Sequence, residues 1–161
     1  ILDTDKDGKH TLRLELRVLP SGPTLIDTQV NIWFFIGLIL GLVKSKIDLK
    51  KIPFEKLKED FYSVAKTGLE TSFHEPKNAK NVSLKEWILN DGLVLTKMGL
   101  DSLGIYDVDK FIDTIKQRTS SGQNGASWQL EHFKKYNSIP KLMEDYMQNS
   151  EHNIPVHTWS L

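Results

Sequence analysis

From Thr11 to Leu19 the chain alternates without a slip: Leu12, Leu14, Leu16 and Val18 are apolar, and Thr11, Arg13, Glu15 and Arg17 are polar. Successive side chains of a strand point to opposite faces, so the pattern predicts a strand with one buried and one polar face. Such a strand cannot bury its apolar side alone. Ahead of it, Asp5-Lys6-Asp7-Gly8 is a turn signal of the kind that closes a hairpin. A partner strand is therefore expected to begin at Ile1 or to precede it, with most of the sheet lying in a longer protein of which this chain is a part.

Helical signals follow. Pro20-Ser21-Gly22-Pro23 stops the strand, and Thr24 with Asp27 three residues on forms a capping box for an apolar helix to about Val43. Its apolar run, Ile32 to Val43, is about a dozen residues against the roughly 20 of a spanning helix, which predicts a fully buried core helix and no membrane contact. Pro53 suits the first turn of a second helix running to about Lys66 and ended by Gly68. Ser83 and Glu86 cap a third that meets Asp91-Gly92, and a further apolar segment stops at Gly99. Asp107 can cap a helix from about Val108 to Thr119, whose Val108, Phe111, Ile112 and Ile115 share one stripe. Helices from about Ala126 to Tyr136 and Ile139 to Gln148 follow the break at Ser120 to Gly125. The expected fold is α+β, mostly α in this segment, with one or two antiparallel strands before six or seven helices. No repeat or linker divides residues 1–161.

Lysine plus arginine and aspartate plus glutamate stand at 21 each, so no global field draws the chain to nucleic acid or an anionic membrane. The absence of cysteine excludes disulfides, thiolate metal sites and a cysteine nucleophile, and suits a reducing cytoplasm. Asp3, Asp5, Asp7 and Gly8 imitate the opening of an EF-hand loop. The register then fails, because the twelfth position is Leu14, where a bidentate glutamate is needed. A polar hairpin turn is the better reading. The five histidines share no ligand spacing, and no P-loop, Rossmann turn or nucleophile elbow occurs.

On a strand, Arg13, Glu15 and Arg17 project from one face about 6.5–7 Å apart. Two readings stand side by side. The row is either a solvated face whose charges pair with one another, or a carboxylate and a guanidinium fixed for a metal ion and a phosphate.

The stretch Leu12 to Val18, then Pro23-Thr24-Leu25-Ile26-Asp27 and the apolar helix, resembles the C-terminal half of the glutamate–cysteine ligase type 2 family of carboxylate–amine ligases. Three further segments agree in order: Glu59 to Leu69, Val82-Ser83-Leu84 with Trp87, and the box Gly122-x-x-Gly125-Ala126-x-x-Gln129. The resemblance implies a glutamine-synthetase-like fold in which a curved antiparallel sheet holds ATP and magnesium. It also implies activation of a glutamate-like carboxylate as an acyl phosphate that an amine attacks, as in glutathione biosynthesis. By this resemblance Glu15 is a magnesium ligand, Arg17 and Arg13 serve catalysis by stabilising phosphoryl charge, and Arg17 and Lys66 contact the nucleotide. Lys66 and Asp60 stand where the family has arginine and asparagine, which alters the donor fork and the charge. The Gly122 to Gln129 box is either a tight turn with close helix approach or a loop near the nucleotide. Because the family's first acidic strand lies before the matched residues, the chain alone is expected to be inactive. A non-catalytic helical interaction module remains the alternative.

Overall fold

A computed structural model describes residues 2–12, 15–19, 21–105 and 108–161. Two short antiparallel hairpins accompany a mostly helical body. In the first hairpin β1 (Leu2–Thr4) pairs with β2 (His10–Leu12) in the register Leu2 to Leu12 and Thr4 to His10. Gly8 supplies the left-handed backbone of the turn with φ of 76°. Asp5 Oδ1 accepts the Asp7 and Lys9 N–H groups at 3.0 and 2.9 Å, so this acidic loop spends its carboxylate on its own backbone. The turn and the partner at the chain's start agree with expectation.

The long strand does not. Residues 15–19 belong to no strand or helix, and the described pairing runs to Leu12, with Arg13 and Leu14 outside the described residues. Alternation gives a strand its faces, but the backbone groups of a strand need a neighbour. Among the described residues no strand pairs with 15–19. The two small sheets give no support to the expected curved sheet.

Helix α1 (Leu25–Lys44) opens as anticipated, Thr24 Oγ1 accepting the Asp27 N–H at 3.2 Å. It is not fully buried. Ile26, Asp27, Val30, Gly37 and Gly41 face inward, while Leu25, Ile32 and Val43 are exposed. Its 20 residues also exceed the apolar run that suggested too short an element. By length and composition it could cross a membrane, a test that the core helix of a soluble protein also passes.

Helix α2 (Phe54–Thr67) follows Pro53 and ends at Gly68. A second hairpin, β3 (Ser72–His74) with β4 (Asn81–Ser83), is absent from the sequence expectations. Its strands have three residues each, too few to show a period, and its turn is held by the buried Glu75, whose carboxylate accepts the Lys77 and Asn78 N–H groups at 2.7 Å each. Ser83 then caps α3 (Leu84–Trp87), which continues without a break through one π-helical turn (Ile88–Gly92) into α4 (Leu93–Asp101). Asp91-Gly92, expected to mark an interruption, is absorbed by the wider turn, and Thr96 Oγ1 donates to the Gly92 carbonyl at 2.8 Å. Helices α5 (Asp109–Ser121), α6 (Gly125–Tyr136) and α7 (Ile139–Glu151) complete the body, α5 closing on Gly122 at φ of 73°. Asp107, the expected cap of α5, lies outside the described residues.

Helix α1 packs along α4 and, less extensively, α5. Glycine makes the first contact possible. A Cβ on Gly99 would fall 1.9 Å from the Gly37 carbonyl oxygen and 2.7 Å from the Gly41 nitrogen, and one on Gly41 would fall 2.0 Å from the Leu95 oxygen. Around this backbone contact Ile26, Val30, Leu93 and Ile115 form the central core. Trp128, Val156 and Trp159 form a second core, where the last residues fold back against α6.

We expect Gly99→Ala to cost about 3 kcal/mol or more, since the α1 backbone occupies the place of the new methyl. Gly8→Ala, with nothing within 4 Å of its added Cβ, should cost about 1–2 kcal/mol from its left-handed backbone alone. Urea midpoints of the two variants measure the difference.

Candidate functional site

The first turn of α1 carries a carboxylate into the interior. Asp27 is 0% exposed. Its Oδ2 accepts the Thr24 hydroxyl at 2.7 Å and the Val156 N–H at 3.1 Å, and its Oδ1 lies 3.4 Å from Nη1 of Arg118. Arg118 Nη2 donates to Asn31 Oδ1, one turn along α1. A buried charge is tolerable when paired and hydrogen-bonded, and here that need joins α1, α5 and the turn Val156–Thr158. Nearby bonds reinforce the junction. The Ile26 N–H donates to Asn153 Oδ1 at 2.9 Å, the Ser150 hydroxyl to the Pro23 carbonyl at 2.6 Å, and Gln123 Nε2 to the carbonyls of Val156 and Trp159 at 2.7 and 2.8 Å.

Burial pulls the Arg118 guanidinium below its ordinary pKa, against the opposing pull of Asp27. His157 also titrates below its usual value. Burial is the main cause, and its Nδ1 is enclosed without a hydrogen-bond partner among the described residues; Arg118 lowers it further, while Asp27 works in the other direction.

Beside this junction lies a cavity of about 660 Å³, within the range of small-molecule sites. Arg118, Asn31 and Gln129 supply polar groups to its wall, and Phe34 and Ile115 apolar ones. Gly122, Gly125, Ala126 and Gln129 of the glycine box line it too, as do Leu19 and Ser21. The close approach expected of that box is present, since a Cβ on Gly125 would come within 2.7 Å of the Pro23 ring. Asn124 and Ser127 form a reciprocal capping box at the start of α6.

The residues singled out from sequence are placed elsewhere. Glu15 and Arg17 pair with each other at 2.9 Å, their side chains 42% and 77% exposed, and neither lines a cavity among those described. Arg13 lies outside the described residues. Lys66 is exposed in the last turn of α2. Asp60 accepts the His74 backbone N–H at 2.8 Å and sits 3.0 Å from its Nδ1, which ties α2 to β3. No group of three histidine, aspartate or glutamate side chains that could hold a metal occurs among the described residues.

Sequence reasoning missed Asp27 as more than a cap, and missed Arg118 altogether. A signal existed. Counting on from Ile115 by three reaches Arg118, a charge on the stripe that the apolar residues of α5 define.

Removing one member of the buried pair should strand the other. Asp27→Ala is expected to cost about 3–5 kcal/mol in urea unfolding, and Asp27→Leu with Arg118→Met less than the sum of its single changes. For His157 the folded pKa lies below the unfolded one, so the unfolded chain binds the extra proton. Stability should fall as pH drops below about 6.5, and His157→Gln should flatten that part of the pH profile.

The chain matches no protein-family model, no curated protein and no solved structure.

Proposed function

We propose that this chain is the C-terminal part of a cytoplasmic, magnesium- and ATP-dependent carboxylate–amine ligase resembling glutamate–cysteine ligase type 2. Its substrates are a glutamate-like carboxylate and an amine. One observation carries the reading beyond the order of the motifs. The Gly122 to Gln129 box lines the same cavity as Leu19 and Ser21, which closely follow Arg17. Pro23, which opens the matched stretch 23–27, lines it as well, so two separated segments of the resemblance border one hollow. Under this reading Glu15 faces the metal, Arg17 and Arg13 stabilise phosphoryl charge, and Lys66 holds the nucleotide. The remaining metal carboxylates and the glutamine-synthetase-like sheet come from residues that precede the matched stretch.

A specific observation favours the second reading, a non-catalytic interaction module. Glu15 and Arg17 satisfy each other in solvent, and α2 buries no residue while exposing Phe54, Leu57 and Phe61 at helical spacing. Glu15→Gln in the full-length protein separates the two. The ligase reading expects magnesium-dependent ATP turnover to fall by about 10²-fold or more, with the unfolding midpoint nearly unchanged because the broken ion pair is exposed. Unaltered turnover, or none in either form, supports the interaction module.

A further inference from the structure

The cavity beside Asp27 has a chemical bias that its glycine-rich rim does not explain. Among its described lining residues Arg118 is the one lysine or arginine, and none is an aspartate or glutamate. Three other hollows, of about 440, 350 and 440 Å³, differ in carrying carboxylates: Asp145 in the first, Glu75 and Asp91 with Lys77 in the second, and Asp101 with Lys97 in the third. A guanidinium has five N–H donors in a rigid fork. Among the described residues Arg118 gives one to Asp27 and one to Asn31. The Asp27 contact is a single one of 3.4 Å and not a two-pronged pair, so it satisfies the cation incompletely. The side chain is 18% exposed, and that exposure borders the cavity. A largely buried arginine with spare donors at the wall of a hollow favours an acceptor that carries negative charge and two oxygens.

We propose that this cavity binds a small molecule whose oxyanion, a carboxylate or a phosphate, docks on the spare donors of Arg118 while an apolar portion lies against Phe34 and Ile115. Gln129, exposed one turn along α6 from Gly125, stands on the rim to receive a polar substituent. Asp27, which does not line the cavity, acts as a positioning residue that holds the fork, and Asn31 holds its Nη2 from the cavity wall. The inference is independent of the ligase reading, because it concerns no reaction and would hold in an interaction module as well.

Three probes of similar shape test it by titration against the intact protein, followed by chemical shifts or tryptophan fluorescence: phenylacetate, phenyl phosphate and neutral phenylacetamide. At least one anion should bind about tenfold or more tightly than the amide. The tighter of the two identifies the source as carboxylate or phosphate. Arg118→Lys, which keeps the charge and loses the fork, should weaken that anion by about tenfold. Because Arg118 also supports folding, a second variant acts on space alone. Ala126→Trp, at an exposed position on the cavity wall, should abolish binding while leaving the unfolding midpoint in place. Equal binding of amide and anions, no binding of either anion, or an Ala126→Trp protein that binds as well as the parent would each overturn the proposal.

Discussion

A carboxylate withdrawn wholly from water holds together parts of the chain that are far apart in sequence. Asp27 enters the interior from the first turn of α1, where helix geometry already presents it beside the Thr24 cap. Once there it requires donors, and it takes them from α5 through Arg118 and from the final segment through the Val156 N–H. Without them the isolated charge would cost several kcal/mol. The return of the last residues onto α6, the second aromatic core and the cavity wall near Val156 all follow from that demand.

The second constraint is steric. Gly37, Gly41 and Gly99 let α1 and α4 meet backbone to backbone, which fixes where α1 can lie. Apolar packing by Val30, Leu93 and Ile115 then stabilises an arrangement whose spacing glycine has already set. The wide turn at 88–92 belongs to the same design. It carries α3 into α4 without a break and keeps Trp87, Leu93 and Leu100 on buried faces.

Much of this is legible in the sequence. Caps announced themselves at Thr24, Ser83 and Gly68 because capping depends on a few neighbouring residues. The stripe on α5 was equally plain. What escaped depends on partners far away in sequence: the three-residue strands at 72–74 and 81–83 are defined by each other, and the burial of Asp27 by Arg118 and Val156. Alternation through Leu19 misled for the same reason, since a pattern fixes faces but does not supply the neighbouring strand. The charged row at Glu15 and Arg17 left two readings open, and the mutual ion pair is what its spacing alone would produce. Arg118 could have been noticed as a charge on a buried stripe, but nothing local said which carboxylate it would meet.

Native-state hydrogen exchange at the Val156 amide tests the role of Asp27 most directly. If the carboxylate anchors the final segment, this N–H, 3.1 Å from Asp27 Oδ2, should exchange only through openings close in free energy to global unfolding. Exchange as fast as that of an exposed amide, in a chain that is otherwise folded, would show that the segment is not held by Asp27 and would contradict the account.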